Sequence, residues 1–163
     1  MNKLKLVITA VCLSTLALFL LGAECGVPVD SLPPYYIMFK LDGESKIFDK
    51  GYTDIESNAF ANKVGGNSTL FCATSDVLSS SDTKTNFIEI SLNGFFEGEY
   101  SNENIYYFDN EGNVSLIFTN SIKITKYEDV SGVIEATFSG TGDGKVITEG
   151  VFKVKRIPND TWD

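Results

Sequence analysis

The segment that decides the fold is VSGVIEATFSGTGDGKVITEGVFKVKRI, residues 130–157. In its second half, Phe152 and Val154 alternate with Lys153 and Lys155. A period of two is typical of a strand that buries one face. The first half has the same period, with one face formed by Gly132, Ile134, Ala136 and Phe138 and the other by Val133, Glu135, Thr137 and Ser139. The segment therefore predicts an antiparallel β-hairpin.

Two breaks in this alternation predict a turn and a β-bulge. Residues 141–145 (TGDGK) have the composition of a turn, and Gly142 and Gly144 can adopt positive φ there. Gly150 interrupts the alternation on the return strand, which predicts a β-bulge at that point.

Further strand runs precede this hairpin, separated by clusters of Gly, Asn, Asp and Ser. They include a hairpin turning at Asp42-Gly43 and another turning at residues 110–113. Residues 53–67 fit either a short helix capped by Asp54 or a strand with Ala59 and Ala61 on one face, and the strand is favoured because it supplies a local partner for residues 69–75. About eight or nine strands over residues 35–158 predict one all-β domain, either an antiparallel β-sandwich or a closed, lipocalin-like barrel.

The first residues predict export. Lys3 and Lys5 precede an uninterrupted run without charges from Leu6 to Ala23, which is the layout of a secretory signal peptide over residues 1–23. The run is also close to the length of a transmembrane helix. A retained anchor is disfavoured because no basic cluster follows the run.

Cys25 is the predicted site of lipid attachment. The order Leu21, Gly22, Ala23, Glu24, Cys25 is similar to a bacterial lipobox, although Glu24 stands where a small side chain is normal. Such a lipid would hold the protein on a membrane, with residues 24–34 as a proline-containing tether. Cleavage after Ala23 without lipidation is the alternative, giving a secreted or periplasmic protein in which Cys25 and Cys72 could form a disulfide.

Composition excludes several classes of function. The chain has a formal net charge of −9, and removal of residues 1–23 takes away two lysines and no acids, which leaves −11. Such a body repels nucleic-acid phosphates, so nucleic-acid binding is excluded. The chain has no histidine, which removes the commonest general base and metal ligand. No cofactor motif is present.

A family resemblance agrees with this picture. The segments ITKYEDVSGVIEATFSG and VITEGVFKVKRI, within residues 35–157, resemble uncharacterised secreted β-rich lipoproteins of Bacteroidetes-type bacteria. The resemblance implies a β-sandwich or lipocalin-like domain behind a signal and a lipid-bearing cysteine. It implies no activity and transfers no functional residue.

Three groups of residues are candidates for a site. Asp109, Glu111 and Asn113 in DNEGN have the oxygen-rich character of a calcium loop, although the same residues dominate ordinary turns. Tyr35, Tyr107 and Trp162 are the aromatic candidates for ligand binding, with Tyr36 and Tyr106 expected in the core. The third group consists of the carboxylate pairs Glu97 with Glu99 and Asp109 with Glu111, which could act in a hydrolase.

The sequence thus predicts an exported envelope protein that acts as a non-catalytic binding module. Its expected ligand is a small apolar molecule, a glycan or an envelope protein. A carboxylate-dependent hydrolase is the alternative. The residues 159–163 form the expected C-terminal tail.

Overall fold

The computed structural model describes residues 32–64, 68–94 and 96–158, and these form strands and turns without any helix. None of these residues therefore belongs to a helix that could cross a membrane. The predicted signal peptide, Cys25 and Trp162 lie outside the described residues. The strands are β1 (Tyr36–Leu41), β2 (Glu44–Phe48), β3 (Lys50–Tyr52), β4 (Glu56–Asn58), β5 (Phe60–Val64), β6 (Ser68–Thr74), β7 (Phe87–Leu92), β8 (Gly98–Tyr100), β9 (Asn104–Phe108), β10 (Val114–Tyr127), β11 (Val133–Gly142) and β12 (Lys145–Arg156).

Seven of these strands close into a barrel. The order around it is β12-β11-β10-β9-β7-β6-β5, with neighbours antiparallel until β5 returns to β12. That last contact is parallel and short, pairing Lys155 with Phe60 and Arg156 with Ala61. The all-β prediction is confirmed, and the closed arrangement fits the barrel alternative.

Side chains fill the interior of this barrel. The inward residues include Ile37, Phe71, Ile90, Ile117 and Ile134, each with no exposed surface. Rings pack against one another in this core, with Phe39 of β1 stacked on Phe48 of the neighbouring β2 at 5.7 Å and Phe71 against Phe152 at 4.7 Å between centroids. A barrel of about this size can be filled entirely by its own side chains.

A second apolar cluster lies on the outside of the barrel. Its members, the outer cluster, are Tyr52, Phe60, Cys72, Phe87 and Ile157. The β3–β4 hairpin and the segment 75–86 cover it, and Thr53 N–H donates to the Leu78 carbonyl at 2.8 Å. Strands β5, β6 and β7 therefore bury side chains on both faces: Phe60, Cys72 and Phe87 belong to the outer cluster, whereas Ala61, Phe71 and Ile88 belong to the barrel core.

The C-terminal hairpin forms as predicted, but its turn is tighter. Gly142 pairs with Lys145, so Asp143 and Gly144 alone make the connection, with φ of 45° and 71°. The expectation of positive φ at Gly142 was wrong, because Gly142 is a strand residue. The turn at Asp42-Gly43 is confirmed and has the same form, with φ of 52° and 89°. Two residues with positive φ make the turn whose twist suits a hairpin.

The predicted bulge in β12 is confirmed. The pairing with β11 shifts by one residue between Phe138 and Gly140, and Glu149 in the bulge has a φ of 53°. The bulge lets the long β12 strand bend around the barrel.

The number of strand segments exceeds the eight or nine expected. Residues that follow the turn at 110–113 form one long strand, β10, which continues past a register shift between Thr119 and Ser121. The three-residue strands β3, β4 and β8 are too short to show a period in sequence. The strand expected around Ala59 and Ala61 is present as β5 with the preceding Ala59, and both alanines are fully buried.

Candidate functional site

The structure reverses the expected faces of the tyrosines. Tyr107 is 7% exposed and belongs to the barrel core, while Tyr106 is half-buried on the outer face. Tyr36 also faces outward, where partial burial and the nearby Glu135 raise its pKa. Tyr35 packs against the core. The expectation that Tyr36 and Tyr106 belong to the core was therefore wrong, because the inward Ile37 and Ile105 set the opposite phase.

Asp109, Glu111 and Asn113 come together as a turn. The Asp109 Oδ1 atom accepts hydrogen bonds from the backbone N–H groups of Glu111 and Asn113, both at 2.9 Å. Its Oδ2 accepts from the Asn113 side chain at 3.0 Å. The Asn113 hydrogen bond is the largest of the effects that lower the pKa of Asp109. Among the described residues, no group of three or more acidic or cysteine side chains has a metal-binding arrangement.

The two pairs of carboxylates are placed differently from one another. Glu99 is exposed and its Oε1 lies 3.3 Å from Lys123 Nζ. Glu97 lines a cleft at one end of the barrel, and Glu99 is not among the described residues lining that cleft. Asp109 and Glu111 are tied into the turn described above. Neither pair places two carboxylates together over a pocket.

A cleft, which we call the mouth cleft, lies at the end of the barrel that carries the Asp42-Gly43 and Asp143-Gly144 turns. It encloses about 300 Å³, and its lining is Leu41, Asp42, Glu44, Lys46, Tyr107, Asp109, Ser115 and Lys145. Two sequence candidates, Tyr107 and Asp109, therefore share one cleft. Both of its lysines are already in ion pairs, Lys46 with Glu44 at 3.2 Å and Lys145 with Asp42 at 3.6 Å. Such local pairs leave little charge for a ligand.

A second cleft, which we call the end cleft, lies at the opposite end of the barrel, where β5, β10 and β12 terminate. It encloses about 610 Å³, and its described lining is Lys63, Phe96, Glu97, Tyr127, Asp129 and Arg156. The Arg156 guanidinium sits over the Tyr127 ring at 5.1 Å from its centroid. The Tyr127 hydroxyl in turn lies 3.2 Å from the Thr69 hydroxyl, which donates to the Gly94 carbonyl at 2.7 Å.

An exposed apolar surface lies on the outside of the β9–β10 hairpin. We call it the outer apolar face, and it consists of Tyr106, Phe108, Val114, Leu116, Phe118 and Val146. Val114 pairs with Phe108 and Leu116 with Tyr106, so their side chains lie side by side on the sheet. Phe118 and Val146 join them through Thr141, which pairs with both.

Exposure distinguishes this face from the rest of the sheet. Val114 is 55% exposed, Phe118 46% and Val146 44%, whereas a strand on a solvated sheet face normally presents polar residues there. Two carboxylates lie beside it: Asp143 accepts a hydrogen bond from the Leu116 N–H at 2.8 Å, and Glu111 is exposed in the adjoining turn. Lys84 is held on the other side by Glu89 at 3.1 Å and lies over the Phe108 ring.

Comparisons of the chain with models of protein families, with curated proteins and with solved structures find no match. The resemblance to envelope lipoproteins accordingly stays a prediction from sequence.

Sequence reasoning missed both the outer apolar face and the end cleft. The signal for the face was present in NVSLIF, residues 113–118, where Val114, Leu116 and Phe118 repeat every second residue while Ile117 fills the other face. A strand that is apolar on both faces predicts a covering partner. The end cleft had no such signal, since its lining comes from strand ends and loops far apart in sequence.

Proposed function

We propose that this protein is an exported envelope protein, held on a membrane through a lipid on Cys25, whose β-barrel binds a partner protein without catalysis. The observation that carries the binding role is the outer apolar face. Five apolar or aromatic side chains gather on the outside of the β9–β10 hairpin, Val146 of β12 lies beyond Thr141, and three of these six are over two-fifths exposed. Contiguous exposed apolar surface of this kind marks interaction sites on stable proteins.

The chemistry of the face favours a protein over the other expected ligands. A small apolar molecule would need interior space, and the described interior is occupied by packed rings such as Phe39, Phe48 and Phe138. A glycan needs hydrogen-bonding groups beside its stacking rings. This face offers the aliphatic Val114, Leu116 and Val146 beside its rings instead, and apolar cores with polar rims are typical of protein interfaces.

The charge around the face specifies the partner further. Asp143 and Glu111 border it, and Lys84 is neutralised by Glu89. The chain as a whole has a net charge of −9. We therefore expect a partner with an apolar centre and a basic rim, whose association is accelerated by charge attraction and weakened by salt.

The tether fits this role because a lipid-anchored domain on a short extended leader meets its partner near a membrane surface. Residues 26–34 hold three of the four prolines in the chain. Prolines favour an extended chain, so we expect this leader to hold the barrel at a distance from the membrane.

The test combines cross-linking with measured affinity. A photoreactive amino acid is placed at Phe118 of the full chain, and at Thr137 as a control on an exposed site of β11 outside the face. A protein that cross-links only from position 118 is then purified, and its Kd is measured with the wild type and with Phe118→Ser. We expect Phe118→Ser to weaken binding about tenfold or more, as loss of a central aromatic anchor does.

The outcomes separate clearly. Equal cross-linking from both positions, or an unchanged Kd with Phe118→Ser, would contradict the proposed interface. Phe118 is already exposed, so the substitution leaves the fold intact, and circular dichroism verifies this.

A further inference from the structure

Tyr107 lines the mouth cleft with a hydroxyl group that has no hydrogen-bond partner among the described residues. Its side chain is 7% exposed, and its ring packs edge-on against Phe39 and Phe48, at 6.3 and 6.5 Å between centroids. These two contacts fix the ring, and with it the position of the hydroxyl group. A tyrosine buried to this extent normally has a partner for its hydroxyl group, so the unpaired group indicates a ligand in the cleft.

Ser115 places a second hydroxyl group beside the first. It stands directly opposite Tyr107 in the antiparallel pairing of β9 with β10, so the two side chains lie next to each other on the inner face. Ser115 is half-buried and lines the same cleft, and its side chain also makes no hydrogen bond within the described part of the chain. Each hydroxyl group can both donate and accept. The cleft therefore presents two adjacent neutral groups that suit a ligand with hydroxyl groups of its own.

The charges around the cleft disfavour an ionic ligand. Both lysines of the described lining are held in ion pairs with carboxylates, and Asp109 adds one further negative charge. The excess negative charge repels an anion, while a cation would lie close to two lysines. We therefore expect the ligand to be neutral.

The size of the cleft and its apolar lining restrict the ligand further. The volume of about 300 Å³ is at the lower end of the range for small-molecule sites, which are often found in the mouths of β-barrels. A wholly apolar molecule would leave the hydroxyl groups of Tyr107 and Ser115 without partners, which costs free energy. A sugar ring offers hydroxyl groups to both, and its C–H groups can contact Leu41, which also lines the cleft.

From these contacts we propose that the mouth cleft binds a neutral sugar, with its hydroxyl groups hydrogen-bonded to Tyr107 and Ser115 and its C–H groups against Leu41. The site is on the inner side of β9 and β10, whereas the outer apolar face is on their outside. Sugar binding is thus a second function that does not depend on the proposed protein partner.

The proposal is tested by NMR titration of the ¹⁵N-labelled protein with the methyl glycosides of glucose, galactose and mannose. Each is compared with its uronic-acid counterpart, which adds a negative charge to the same ring, and with cyclohexanol, which has a single hydroxyl group. We expect at least one neutral glycoside to bind and to shift the amide signals of Tyr107, Asp109 and Ser115. Its uronic acid and cyclohexanol should bind about fivefold more weakly or worse.

Two results of the titration would overturn the proposal. The first is that none of the three neutral glycosides binds. The second is that a uronic acid or cyclohexanol binds as tightly as the best neutral glycoside.

Variants identify the contacts. Tyr107→Phe removes only the hydroxyl group and keeps the ring packing, so we expect an unchanged Tm and about tenfold weaker sugar binding. Ser115→Ala is expected to weaken binding several-fold, and it covers the case in which Tyr107→Phe unfolds. Tyr36→Phe, the same substitution on the outer face of β1, is the matched control and should leave binding unchanged. Equal loss in Tyr36→Phe, or unchanged binding in both cleft variants, would refute the assignment.

Discussion

Phe138 occupies the space in which a side chain at Gly150 would stand. A Cβ atom added to Gly150 would lie 2.5 Å from the Phe138 carbonyl oxygen and 2.7 Å from its Cδ1 atom. Since Phe138 is 4% exposed and packs against Phe39 and Phe152, it has little room to move away. The bulge in β12 thus depends on a glycine for close approach to β11.

Gly150→Ala is therefore expected to destabilise the barrel by about 2–3 kcal/mol through overpacking, measured by urea unfolding. Glu149→Gly is the control in the same bulge. Glu149 has a φ of 53°, which glycine adopts without strain, so this change is expected to be near neutral despite loss of the exposed ion pair with Lys40. If Gly150→Ala were as stable as the wild type, the explanation that Phe138 leaves no space for a side chain at position 150 would be wrong.

Glu56 and Lys155 form an ion pair that links β4 to β12 at 2.6 Å. Burial alone would raise the pKa of Glu56, but hydrogen bonds from Lys155 and Asn58 outweigh it and lower that pKa below its ordinary value of 4.5. A carboxyl group whose pKa is lower in the folded state contributes stability above its unfolded pKa. That contribution is lost as the pH falls through the folded pKa.

We accordingly expect Glu56→Gln to lower the free energy of unfolding by about 1–3 kcal/mol at neutral pH. The difference from the wild type should shrink as the pH falls below 4.5. Glu99→Gln, at an exposed pair with Lys123, is the matched control and should change stability by less than about 0.5 kcal/mol. A pH-independent difference for Glu56→Gln would refute the electrostatic explanation.

The state of the two cysteines tests the proposed anchor. Cys72 is fully buried in the outer cluster as a free thiol, and its burial raises the pKa of that thiol. If Cys25 is acylated, the mature protein carries the added lipid mass, partitions into detergent and has one thiol that reacts only after unfolding. Cys25→Ser should abolish the partitioning. A mature mass without lipid and two hydrogens lighter than the reduced chain would show the disulfide alternative instead.

The DNEGN turn offers a test of calcium binding. Because both oxygens of Asp109 accept hydrogen bonds within the turn, Asp109→Ala is expected to lower the Tm of the protein. Calcium at millimolar concentration should leave the Tm of the wild type unchanged. A rise in Tm that is absent in Asp109→Ala would restore the metal-site interpretation.

Alternation of apolar and polar residues was sufficient to predict those strands in which one face is consistently apolar. The β11–β12 hairpin, its bulge at Gly150 and the faces of β7 all follow from that period. The prediction of which tyrosines in NIYYF and YYIMF face the core was wrong because a tyrosine suits either face of a strand. Ile105 and Ile37 determine which residues point inward. The outer cluster follows from tertiary packing: Cys72 and Phe87 are covered by segment 75–86, whose polar composition gave no sign of it.

The end cleft illustrates a different limit. Lys63, Tyr127 and Arg156 meet only because three strands end at the same rim, and barrel closure rather than any motif brings them together. Strand pairings between distant segments cannot be derived from local pattern alone.

The short parallel contact of β5 with β12 has a consequence for biogenesis. Phe60 and Ala61 emerge from the ribosome long before Lys155 and Arg156, so the ring of strands stays open until β12 has been synthesised. Because the barrel cannot close before β12 is made, the nascent chain stays unfolded for longer, as the proposed translocation across a membrane would require. We also expect local opening of the folded protein at the β5–β12 contact. Amide hydrogen exchange should be faster there than at the other strand pairings.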